Sequence, residues 1–268
     1  MICLEVLASG SRGNAALVQL GDADGLILID AGLSPRRTKQ AIESRGYTIN
    51  DVKHVLLTHD DSDHLHRGWI RAIRMWNFTL HVHATHLDDV RRSGVESRWI
   101  EVMTPQFQLS TTTSVEPHIV PHDLSGTAAF VIEHKGVRLG WATDLGTVGP
   151  SLIEHFSDLD ALAIESNYDR QMQLDSNRPS FLIDRIMGGR GHLSNTQAIE
   201  AVDQIAIQSM LQHVVLLHLS RDCNCPLVVR ERWNNIESAW ARQVHIASQD
   251  EPLTPIRINS RHQTACLP

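Results

Sequence analysis

The sequence lacks the features that would place it in a specialised class. Cysteine is scarce, with four in 268 residues. They stand at Cys3, Cys223, Cys225 and Cys266, and the one close pair is spaced C-x-C, not the C-x2-C of a zinc knuckle. A disulfide-stapled scaffold is excluded, and free thiols fit a reducing compartment. No stretch reaches the ~18 uninterrupted apolar residues that a membrane-crossing helix needs. No basic segment followed by an apolar run opens the chain, so no secretory leader is expected. Both absences point to a cytoplasmic protein with no membrane partner. Positive charge is also short: 24 Lys and Arg face 31 Asp and Glu, for a net charge of −7. An overall basic footprint for nucleic acid is missing, although a local basic patch stays open. Internal repeats, low-complexity stretches and a clear linker are absent too. One domain over 1–268 is expected, with 248–268 left as an unassigned polar tail.

Histidine is present in excess, at 16 residues. It is the commonest metal ligand and the usual acid or base near neutral pH. The remaining composition is ordinary, with 42% hydrophobic and 21% charged residues, and a chain of this length buries a core without staples.

Short apolar runs bounded by Gly, Ser and Asp read as strands at 2–8, 15–20, 26–31, 52–58 and 79–82, and again at 114–120, 127–133, 137–142, 161–164 and 214–217. Helical spacing is expected at 35–45, 65–76, 195–208 and 226–242, the first and last opened by Pro35 and Pro226. Several strands precede each helical stretch in two halves of the chain. That order suits two packed sheets covered by helices, an α/β fold.

The densest chemical signal is Thr58-His59-Asp60-Asp61-Ser62-Asp63-His64, directly after the apolar run from Val52. Neighbouring carboxylates repel one another, and a divalent cation removes that repulsion. The bland alternative is a solvated acidic turn that caps the next helix. Other strand-like runs end in His122-Asp123, in Asp144 and in His218. Together these positions supply N and O donors for two cations, which at ~3.5–4 Å apart activate a water and clamp a phosphoryl or carbonyl group.

The stretch His59-x-Asp61-x-Asp63-His64 resembles the H-x-H-x-D-H signature of the metallo-β-lactamase superfamily. Leu28-Ile29-Asp30-Ala31-Gly32 is similar to the strand-end Asp that precedes that signature. The likeness extends to the YycJ/VicX-type DNA exonuclease branch. It is carried by Ser9-Gly10-Ser11-Arg12-Gly13-Asn14, Pro121-His122-Asp123 and Thr143-Asp144-Leu145-Gly146. It continues in Glu165-Ser166-Asn167, in Gly191-His192-Leu193-Ser194-Asn195, and in His218-Leu219-Ser220 followed by Asn224 and Pro226. The resemblance implies an αβ/βα four-layer sandwich and two divalent metal ions, Zn or Mn. It implies that His59, Asp61 and His122 hold the first metal, that Asp63, His64 and His218 hold the second, and that Asp144 bridges. A metal-bound hydroxide would be the nucleophile, oriented by Asp63. His192 would bind the scissile phosphate or protonate the leaving oxygen. Asp30 would hold the ligand loop from behind. Ser194, Asn195 and Asn167 would contact substrate.

Four departures stand out. Asp61 replaces the usual His, which makes the first site harder and favours Mn-like cations over Zn. Tyr168 stands where the branch often has His, and Cys223 where it tends to have Asn. The net charge does not favour long DNA. Arg12, Arg36, Arg37, Arg67, Arg71 and Arg74 are expected to supply a local basic rim. His66, His81, His83 and His86 have no place in the pattern and read as surface or packing residues. The leading expectation is a two-metal phosphodiesterase that degrades DNA from a 5′ end, in DNA repair. The alternatives are a small ester, thioester or lactone hydrolase and a metal-poor, non-catalytic binding module.

Overall fold

The computed structural model describes residues 1–21, 25–236, 238, 240 and 243–260. Strands β1 (Ile2–Ala8), β2 (Ala15–Leu20), β3 (Leu26–Ile29), β4 (Val52–Leu56), β5 (Thr79–Val82) and β6 (Ile100–Val102) form one sheet with β14 (Ile256–Ile258). Its order is β14-β1-β2-β3-β4-β5-β6. Strands β7 (Phe107–Ser110), β8 (Thr113–Val120), β9 (Thr127–His134), β10 (Val137–Ala142), β11 (Ala161–Glu165), β12 (His213–Leu217) and β13 (Val244–Ile246) form the other. Its order is β13-β12-β11-β10-β9-β8-β7. Each sheet starts as an antiparallel meander and continues with parallel strands, from β3 in the first and from β10 in the second.

Strand alternation explains the layering. In β3, Ile27 and Ile29 face the core between the sheets, while Leu26 and Leu28 face the outer core of the first sheet. The second sheet answers with Phe130, Ile132, Leu139 and Trp141 in the shared core. Its other face buries Val131, Leu162, Ile164 and Leu216. Such a side chain contributes roughly 1.5–3 kcal/mol when fully buried. Helices α1 (Pro35–Glu43), α2 (Trp69–Trp76) and α3 (Leu87–Arg92) cover the first sheet through Ile42, Trp69 and Val90. Helices α4 (Pro150–His155), α7 (Asn195–Ala206) and α8 (Pro226–Asn234) cover the second through Leu152, Val202 and Trp233. The result is the αβ/βα sandwich. The two remaining short helices, α5 (Arg170–Leu174) and α6 (Ser180–Met187), lie between β11 and α7 in the chain.

Two expectations are corrected. Helix α2 begins at Trp69, not at 65, because Leu65 bridges Ala31 in parallel and His66 N donates to Ala31 O at 2.9 Å. Helix α8 stops at Asn234, well before 242. Within the stretch left unassigned, β14 pairs with β1 in the register Ile2↔Ile258 and Leu4↔Ile256. Cys3, Cys223 and Cys225 are free thiols, and Cys266 lies outside the described residues. No helix among the described residues is long and apolar enough to cross a membrane.

Candidate active site

Five strands converge at one rim, and three of them end in a left-handed residue. Asp30 follows β3 with φ 58°, Asp144 follows β10 with φ 55°, and His218 follows β12 with φ 54°. Non-glycine residues occupy this region at a cost of order 1–3 kcal/mol, and Asp and His tolerate it better than most. The turn aims each side chain into the gap between the sheets. The chain after β4 supplies 58–64, and the chain after β8 supplies His122.

The ligand turn is tied down from two sides. Asp61 O accepts from His64 N and Leu65 N, both at 2.8 Å. Asn14 N donates to Asp63 O at 2.7 Å, and Ala31 N to His64 O at 2.7 Å. Ser9 Oγ accepts from His218 N at 2.8 Å, so the turn between β1 and β2 holds ligand-bearing segments of both sheets. Gly32 is required by proximity, because a Cβ there would lie 1.6 Å from Asp63 O.

Each imidazole of the cluster is anchored through Nδ1, which leaves Nε2 directed inward. His64 Nδ1 donates to Asp30 Oδ2 at 2.7 Å, and Asp30 Oδ1 accepts from Thr58 N at 2.9 Å. His122 Nδ1 donates to Gly191 O at 2.9 Å, and His218 Nδ1 to Glu165 Oε1 at 3.0 Å. His59 Nδ1 lies 3.0 Å from Thr58 Oγ1. This is how metal-binding histidines are held, since the anchored Nδ1–H fixes the tautomer that offers Nε2.

The inward atoms form compact groups. Ligand atoms of His59, Asp61 and His122 lie within 4.8 Å of one another, as do those of Asp63, His64 and His218. Asp144 stands between the groups, with Oδ2 3.0 Å from His64 Nε2 and Oδ1 4.0 Å from His122 Nε2. Oδ1 also lies 3.2 Å from His218 Nδ1. The donor set fits divalent cations on a specific observation. His218 Nε2 is buried without a hydrogen bond, 3.8 Å from Asp63 Oδ2. A cation held by these two residues would satisfy both.

Electrostatics point the same way. Burial opposes charge on Asp63, but His218 and His64 outweigh it and hold the carboxyl down at about 2. Burial likewise opposes charge on His218, yet Asp144, Asp63 and Glu165 raise it to about 10. Asp144 is fully buried and still held well below the carboxylate range, by His218 and His64. Such a cavity concentrates negative charge where a cation would sit.

A cavity of ≈ 340 Å³ opens over Asp63, Asp144, His192 and His218. Of the three residues expected to contact substrate, Asn167 lines it, and its Nδ2 donates to His218 O at 2.6 Å. The other two are occupied within the protein. Ser194 caps α7 in a reciprocal pair with Gln197. Asn195 is buried, and its Oδ1 accepts from Ser166 Oγ at 2.8 Å and Asn224 Nδ2 at 2.9 Å. The expected basic rim is also placed differently. Arg178 and Arg185, which flank and belong to α6, line the cavity in place of the expected arginines. Arg74 is paired with Glu96 instead.

Sequence reasoning gave no role to Glu165, which is fully buried. Its Oε1 accepts from both His192 and His218, and its Oε2 accepts from Leu145 N and Leu193 N near 3 Å. Its position closing the apolar run from Ala161 was the available signal, the same one that marked Asp144 and His218.

The beta-lactamase superfamily domain matches residues 26–219. Exodeoxyribonuclease YycJ of Bacillus anthracis is 29% identical over 233 residues, which cover 84% of this chain and 85% of that protein. Among solved structures, the metallo-beta-lactamase fold protein YhfI from Bacillus subtilis superposes with a TM-score of 0.70 at 16% identity, covering 95% of this chain and 100% of that one. Zn(2+)-bound PqqB from Methylobacterium extorquens gives 0.70 at 17% identity, covering 94% and 99%. With the matched family spanning most of the chain and the donor groups assembled at the expected rim, this protein belongs to the metallo-β-lactamase superfamily, in its YycJ-like branch, and is a metal-dependent hydrolase.

Proposed function

We propose that the chain is a DNA exonuclease that hydrolyses phosphodiesters at a two-cation site. The observation that carries this is the pair of donor groups meeting at Asp144, under a cavity walled by His192, Arg178 and Arg185. His59, Asp61 and His122 would hold one cation, and Asp63, His64 and His218 the other. When bound, the cations supply an activated water and Lewis acidity toward the phosphoryl oxygens.

The protein's own groups do the rest. Asp63 is ionised and faces the cavity, where it orients the attacking water. Asp30 locks His64 in its tautomer. Glu165 holds the Nδ1 proton of His192, and together with Asp144 it overcomes burial to raise the pKa of that imidazole. His192 therefore carries a proton to give to the departing sugar oxygen. Arg178 and Arg185 add positive charge at the cavity wall for a phosphodiester, each braced by a carboxylate, Arg185 by Asp123 and Arg178 by Asp222 at 3.3 Å. The name of the YycJ relative supports DNA as the polymer.

The test uses Mn²⁺ and, separately, Zn²⁺ with a 5′-labelled DNA duplex, and His64→Ala as the control. Metal-dependent release of labelled nucleotides, lost in the variant, is expected. No cleavage by protein carrying two bound cations would overturn the nuclease reading in favour of a small ester or thioester substrate.

A further inference from the structure

Exposed apolar side chains carry information when they gather beside a site. Phe181 is 72% exposed and is the only exposed Phe, Tyr or Trp among the described residues. It stands in the first turn of α6, whose Leu182, Arg185 and Ile186 line the cavity over Asp63 and Asp144. At ~100° per residue, Phe181 falls about 40° to one side of Arg185, and Leu182 and Ile186 about 60° and 100° to the other. Exposure follows that order, from Phe181 through the half-buried Leu182 to the buried Ile186. Phe181 is therefore the outer lip of the face that α6 turns to the cavity.

A second apolar side chain stands close by. Arg185 Nε donates to Asp123 Oδ1 at 3.1 Å, and the guanidinium also pairs with Asp123 Oδ2. Both residues of this ion pair line the first cavity and also a second one, of ≈ 530 Å³. Leu124, next to Asp123 in the chain, lines the second cavity and is 94% exposed, the highest value among the described large apolar residues. Backbone bonds fix its turn: Gly126 N donates to His122 O at 2.7 Å, and Asp123 N to Arg190 O at 2.8 Å. Arg190 also lines the second cavity and makes no ion pair among the described residues. Such an arginine is available to a backbone phosphate.

We propose that Phe181 and Leu124 receive the unstacked nucleobases of a DNA strand end, one on each side of the Arg185–Asp123 bridge. This rests on the reading of the chain as a DNA exonuclease. Aromatic faces stack bases of any sequence, and aliphatic wedges part neighbouring bases. Both suit an enzyme that must process every nucleotide in turn. The charges fit the same occupant, since Arg185 and Arg190 line the cavities beside the two apolar side chains. In a chain of net charge −7, long-range attraction does not favour DNA. Contacts to bases then supply the grip that overall charge does not.

The experiment separates bases from backbone. The metal-loaded whole chain is titrated into a short single DNA strand with a fluorophore at its 3′ end and phosphorothioate linkages that slow hydrolysis. Anisotropy reads binding. A second strand lacks the bases at its 5′ end. Wild type is expected to bind the intact strand more tightly than the abasic one. Phe181→Ala is expected to weaken the intact strand roughly 5–100-fold and to leave the abasic strand nearly unchanged. Leu124→Ala should do the same to a smaller degree, and Phe181→Trp should keep the preference for bases. On unmodified DNA, Phe181→Ala should raise KM with kcat little altered, as loss of uniform binding requires. Both positions are exposed, so the variants are expected to fold and to take up metal like wild type. Equal losses on intact and abasic strands, or none on either, would overturn the base-binding role alone, provided wild type degrades DNA. Wild type that neither binds nor cleaves DNA would overturn the nuclease reading and this proposal with it.

Discussion

Glu165 Oε1 accepts the Nδ1 proton of His192 at 2.8 Å. The same oxygen accepts from His218 at 3.0 Å, so one carboxylate sets the tautomer of two imidazoles facing the cavity. Glu165→Gln keeps the shape but brings an amide N–H₂ against groups that are already donors. One or more buried donors lose their acceptor, at ~1–3 kcal/mol each. The expected outcome is a fall in kcat of roughly 10²-fold or more, with weaker binding of the second-site cation. Steady-state kinetics beside metal analysis checks it. An unchanged kcat would contradict the role of Glu165.

Gly32 makes a different prediction, since its need is for space. Ala at this position drives a methyl into Asp63 O and within 2.5 Å of Asn14 N. We expect Gly32→Ala to destabilise the chain by about 3 kcal/mol and to lower metal affinity by displacing the ligand turn. Gly149→Ala, which has nothing within 4 Å, is the matched control. Denaturant titration of both variants decides the matter.

Acid sensitivity should arise partly outside the site. His81 packs on Phe107 and against His54, and burial, aided by His54, pushes its pKa from 6.5 down to about 3. The unfolded chain therefore takes up a proton below pH 6.5 that the folded chain refuses. Stability from this group is complete above 6.5 and is lost as pH falls toward 3. Between pH 6.5 and 5 the loss is about 2 kcal/mol. His81→Leu should flatten the pH dependence of unfolding by that amount, as read from denaturation curves of the two proteins.

Metal removal should cost stability as well as activity. A cation at 100 times its Kd adds ~2.7 kcal/mol to the folded state. For a chain of this size that is about 5–10 °C in Tm. Calorimetry with and without chelator tests this, and the difference should shrink in Asp63→Asn.

The sequence made the strand-end chemistry legible because its spacing is local. His59 to His64 sit within one turn, and Asp144 and His218 each close an apolar run. What it hid depends on distant neighbours. The chain around Leu65 reads as helix until Ala31, far earlier in the sequence, bonds His64 O and His66 N on either side of it. Asn195 reads as a substrate contact until Asn224 engages its amide. The basic rim was assigned to arginines near the ligand turn, whereas Arg178 and Arg185 reach the cavity through the α5–α6 region.

The pairing of β14 with β1 has a consequence for biosynthesis. The partners Ile2 and Ile258 are separated by nearly the whole described chain. During translation, β1 emerges early and pairs with β2, but its other edge stays bare until residues 256–258 leave the ribosome. An open edge beside buried Ile2, Leu4 and Val6 is a template for pairing between nascent chains. Completion of the first sheet is therefore a late, non-local step, and the yield of soluble protein should depend on how quickly synthesis finishes.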